Sequence, residues 1–63
     1  MADEKLRAEA AEKRRLAENA RRLAALMHQV DVRRDLITQA DTLEQLAQDL
    51  DELVRRHSRQ GRS

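Results

Sequence analysis

Val30-Asp31-Val32 is the stretch that decides the fold. Upstream of it the sequence runs in heptads. Leu6, Lys13, Ala20 and Met27 form one row, Glu9, Leu16, Leu23 and Val30 the next, and Ala10, Ala17 and Ala24 a row of small residues beside them. Downstream, Leu36, Leu43 and Leu50 form a row that continues to His57. Leu46 and Leu53 accompany it, with Ala40, Ala47 and Val54 alongside. Each segment carries one apolar stripe, the signature of an amphipathic helix. The two stripes differ in phase by about one residue across Val30 to Val32, and Asp31 is a good residue type for capping a helix N-terminus.

This predicts a helical hairpin: helix 3–29, turn 30–31, helix 32–57 and a basic flexible tail 58–63. Asp3 can cap the first helix as Asp31 caps the second. No Gly or Pro marks the turn, so a second arrangement stays open. In it the chain is a single long rod in a parallel coiled coil, which can absorb a one-residue skip. Thr42-Leu43-Glu44-Gln45 reads as a capping box, but the Leu36–Leu43–Leu50 row passes straight through it, so the second helix is expected to be continuous.

Composition supports the all-α reading. The chain has 63 residues, 40% apolar and 40% charged, with no Cys, Pro, Phe, Trp or Tyr and a single Gly. Good helix formers dominate. The absence of cysteine excludes disulfide staples and thiolate metal sites. A chain this short can hardly build a pocket that excludes water. No enzyme activity, cofactor, metal or catalytic residue is expected. Asp49, Asp51 and Glu52 are carboxylates on an open helix face, and Ser58 beside His57 is a neighbour in sequence only. His28 and His57 fall near opposite ends of a hairpin, too far apart to share a metal within one chain. No leader or membrane-spanning segment is recognisable, since the longest apolar run, Leu23 to Met27, is far short of roughly 20 residues. A cytoplasmic protein is expected.

The apolar content is small for the number of residues to be ordered. Two hairpins packed as an antiparallel four-helix bundle would bury both sides of each stripe. Ala10, Ala17 and Ala24 would then lie against Ala47 and Ala40, letting the helix backbones approach closely. Leu16, Leu23, Met27, Leu36, Leu43, Leu46, Leu50 and Leu53 are the expected oligomer core.

Charge is segregated although the net charge is only +1. Residues 1–30 carry 7 basic and 5 acidic side chains, residues 31–54 carry 2 and 7, and residues 55–63 carry 4 basic ones. Arg7, Arg14 and Arg21 are seven apart, with Arg15 and Arg22 beside them, so a basic stripe runs along the first helix. It is a candidate nucleic-acid face. The reading preferred to it is a solvated face held by ion pairs with the acid four residues before the base: Asp3–Arg7, Glu9–Lys13, Glu18–Arg22, Asp51–Arg55 and Glu52–Arg56.

The layout resembles the Rop-like plasmid RNA-binding proteins: a chain of similar length, two helices, an Asp-containing turn near the middle and a dimeric four-helix bundle. The resemblance is one of architecture. It implies RNA binding on one helix pair, but that family has an aromatic residue on the RNA face and this chain has none. Arg21-Arg22-Leu23-Ala24, Asp31, Arg34-x-Leu36 and Ala40-x-x-Leu43-x-x-Leu46-Ala47 also look like a pattern of small uncharacterised bacterial helical proteins, a group without an activity to carry over. The expected function is a non-enzymatic protein-interaction module, a self-associating scaffold, adaptor or regulator. The alternative is an RNA- or DNA-binding regulator using the basic stripe. The partner expected first is a second copy, then a helix of another protein, then nucleic acid. A membrane is not expected, for the apolar stripe has no aromatic anchors.

Overall fold

A computed structural model describes residues 2–60 and shows a two-helix hairpin, α1 Ala2–Leu26 followed by α2 Val30–Gln60. The helices run antiparallel in a slab whose Cα atoms span 53 × 14 × 11 Å. The single-rod alternative is thereby set aside.

The turn falls three residues earlier than the heptads suggested. Met27-His28-Gln29 connects the helices, and Val30 and Asp31, expected in the turn, lie in the first turn of α2. Backbone hydrogen bonding explains the shift. The Met27 N–H donates to the Ala24 carbonyl at 3.2 Å, tightening the end of α1 to a three-residue step. The Arg33 N–H donates to the Gln29 carbonyl at 3.1 Å, so the ladder of α2 starts from Gln29 and not Asp31. The Arg33 guanidinium also donates to the Met27 carbonyl at 2.7 Å, satisfying an acceptor left over at the end of α1. Among the described residues none has a positive φ. The chain reverses without the left-handed glycine that ends many helices, which is why no glycine signals the turn.

At the N-terminus Asp3 lies within the first turn of α1. Thr42 donates its hydroxyl to the Thr38 carbonyl at 3.0 Å, within an unbroken α2, so the capping-box signature is not used. Residues 58–60, expected in a tail, belong to the last turn of α2, and 61–63 lie outside the described residues.

The seam between the helices is built from alanine. Ala10, Ala17, Ala20 and Ala24 of α1 and Ala40, Ala47 and Val54 of α2 are its buried residues. Ala17, Ala20 and Ala40 form the centre, with half-buried Leu43 packed against them. Ala10, Ala17, Ala24, Ala40 and Ala47, the alanines that the heptads placed between the helices, are all buried, and Ala17 packs with Ala40. Small side chains let the backbones approach, but each contributes little more than a methyl group, worth on the order of 1 kcal/mol when buried. Among the described residues no large side chain is fully buried.

Candidate functional site

The alanine seam divides the hairpin into two faces of different chemistry. In α1 the seam is flanked on one side by the row Arg7, Arg14, Arg21 and on the other by Glu9, Leu16, Leu23. In α2 it is flanked by Ile37, Glu44, Asp51 on one side and by Gln39, Leu46, Leu53 on the other.

Ion pairs show which rows share a face. Arg14 pairs with Asp51, and Arg21 pairs with both Glu44 and, at 3.3 Å, Asp41. The arginine row of α1 and the acidic row of α2 therefore lie on the same side. By helical geometry the two leucine rows share the opposite side.

The polar face is electrostatically closed on itself. Hydrogen bonding to Asp51, then the nearby Asp51 charge, raises the pKa of Arg14, and hydrogen bonding to Glu44 does the same for Arg21. The hydrogen bond from Arg21 is also the main reason that the Glu44 carboxyl is held below its usual range. Arg15 pairs along its own helix with Glu12. Of the five arginines in the basic stripe, Arg7 and Arg22 make no ion pair among the described residues. Two of the five, Arg14 and Arg21, are thus engaged with α2 and one, Arg15, with α1 itself.

Of the five ion pairs expected along the helices, Glu52–Arg56 forms, at 3.7 Å. Glu52 also takes Arg55, at 2.9 Å, while Asp51 turns across to α1. Asp3 does not reach back to Arg7; its carboxylate lies 3.2 Å from His57 Nδ1 and links the two helices at the open end. His28 is exposed in the turn. Among the described residues no group of three or more metal-ligating side chains converges. An open groove near the turn is lined by Arg21, Ala24, Ala25, Arg33 and Ile37. Both of its guanidinium groups are already engaged, Arg21 with acids and Arg33 with the Met27 carbonyl.

Comparison with known proteins finds no match: no family model, no curated protein and no solved structure is similar to the chain. The resemblance to Rop-like proteins thus stands on the two-helix hairpin alone.

The apolar face is open. Leu16, Leu23, Leu46 and Leu53 are 39%, 48%, 44% and 41% exposed, although they alternate regularly and point to one side of the seam. Met27, Leu36, Leu43 and Leu50 are half-buried at its margin. Val32, seven residues before Gln39, extends the face to the turn and is exposed. The hairpin thus leaves large apolar side chains of both helices in contact with water on one side of the seam. Sequence reasoning assigned these leucines to an oligomer core. The alanines take the place inside the hairpin, and Leu16, Leu23, Leu46 and Leu53 are left exposed. Among the described residues no helix is long and apolar enough to cross a membrane.

Proposed function

We propose that the protein is a non-catalytic helical interaction module that works by self-association through its leucine face. The observation that carries this reading is the two-sided hairpin. Its charged side is satisfied internally by Arg14–Asp51 and Arg21–Glu44, whereas Leu16, Leu23, Leu46 and Leu53 on the other side are left largely open to water. An alanine seam alone buries little apolar surface, so a partner on the leucine face would add much of the missing core. A near-neutral net charge of +1 puts little electrostatic repulsion between two copies.

The test is light scattering after size exclusion at low salt, with an ultraviolet scan of the peak. The expected mass is twice 7.3 kDa. The chain has no Trp, Tyr, Phe or Cys, so the expected absorbance near 260 nm is negligible. Leu16→Gln combined with Leu46→Gln should reduce the mass to that of a monomer. A monomeric wild-type protein with a silent 260 nm trace would overturn self-association and direct attention to another protein as partner. A 260 nm band lost at high salt would instead favour nucleic acid on Arg7 and Arg22.

A further inference from the structure

We infer that the leucine face takes a second copy of this chain with its turn at the opposite end, bringing Glu9 of each protomer level with Gln39 of the other. This inference rests on the self-association reading and adds the symmetry of the dimer.

The first argument is area. The part of the hairpin where both helices run side by side is ~37 Å long, the length of the 25-residue α1, and 14 Å wide, so its face offers roughly 500 Å² per copy and ~1,000 Å² in a dimer, the lower bound for a specific interface. A second hairpin of the same length covers it without overhang. The second argument is register. The pairs Arg14–Asp51 and Arg21–Glu44 fix the antiparallel alignment: seven residues forward along α1 match seven back along α2. Leu16 and Leu46 then fall about three residues apart in level, ~4.5 Å, near the middle of the hairpin. A two-fold axis through that level brings four leucines together, two from each copy. Self-complementarity about such an axis is what a symmetric dimer requires.

The polar residues on the face select the direction. Glu9 lies towards the open end and Gln39 towards the turn, each seven residues before its central leucine, Leu16 or Leu46. Both are exposed. With turns at the same end, Glu9 would lie level with its own copy, two carboxylates in one apolar layer. With turns at opposite ends, Glu9 lies level with the partner's Gln39, whose amide can donate to the carboxylate. The same orientation also puts Arg55 and Arg56 of the two copies at opposite ends of the dimer.

Distance measurement between spin labels tests this. The chain has no cysteine, and His28 is exposed in the turn, so His28→Cys gives a single labelled position away from the leucine face. Opposed turns place the labels ~35 Å apart, from about 22 residues of helical rise and one bundle width. A dimer with labels closer than ~20 Å would overturn the orientation while leaving self-association intact. A monomer would overturn both, and a larger oligomer would overturn the two-fold arrangement while leaving self-association intact. Gln39→Glu should weaken an opposed dimer several-fold at low salt, because Glu9 then meets a like charge. An unchanged affinity would remove the Glu9–Gln39 pairing.

Discussion

Arg14 and Asp51 are 37 positions apart in the chain, yet they meet on the polar side of the alanine seam. That contact and its neighbour, Arg21–Glu44, fix the register of the two helices and decide which side of the hairpin is polar. The leucine rows lie on the other side of the seam, which a two-helix hairpin leaves uncovered.

Reversing the charges of this pair tests its orienting role. Arg14→Asp or Asp51→Arg alone should lower the melting temperature by a few degrees at low salt, through like-charge contact. The double exchange should restore it. The effect should fade in high salt, since exposed pairs are strongly screened. Thermal melts followed by circular dichroism check this. A double variant no better than either single one would show that the register is set elsewhere.

Leu43 is the large side chain that packs on the Ala17, Ala20 and Ala40 cluster. Leu43→Asp should unfold the protein and dissociate any oligomer, because it places an unpaired charge against the apolar seam. Helicity and mass are the readouts. A folded oligomer with full helicity would contradict this account of the core.

Ala17 is fully buried between the helices. Ala17→Leu should cost about 1–3 kcal/mol by forcing the backbones apart, seen as a lower denaturant midpoint. A bulky residue tolerated there would mean that close approach of the helices is not needed.

Arg33 holds the turn through the Met27 carbonyl. Arg33→Ala should cost about 0.5–1.5 kcal/mol, the net worth of one hydrogen bond. Amide hydrogen exchange should accelerate around Met27–Gln29 more than at mid-helix. Uniform acceleration along the chain would point to a global role instead.

Acid should weaken the hairpin through Glu44. Its pKa is lowered in the folded state, chiefly by the hydrogen bond from Arg21. The contribution is therefore complete above the unfolded glutamate value of about 4.3 and is lost as pH falls through the lower folded value. Melts at pH 7 and pH 3 should differ less for Glu44→Gln than for the wild-type chain. An equal difference would assign the acid sensitivity to other carboxylates.

The helices and their seam were legible in the sequence because both are local or periodic. Heptads carry the apolar stripe, and alanine at Ala10, Ala17, Ala24, Ala40 and Ala47 allows close approach whatever lies nearby. The turn was misplaced because Met27-His28-Gln29 has no special backbone requirement, and because an arginine six residues on does the work usually signalled by glycine. The ion pairs were misread for a related reason. Spacing along one helix suggests partners four residues away, but Asp3 and Asp51 found stronger geometry across the seam.

Sequence by itself determined two amphipathic helices with small residues where they meet, since periodicity and side-chain volume act within a few turns of chain. Only the tertiary structure decided that arginines and acids close one face while leucines open the other. That division depends on the antiparallel register, which brings together side chains far apart in the chain, and no local periodicity encodes it.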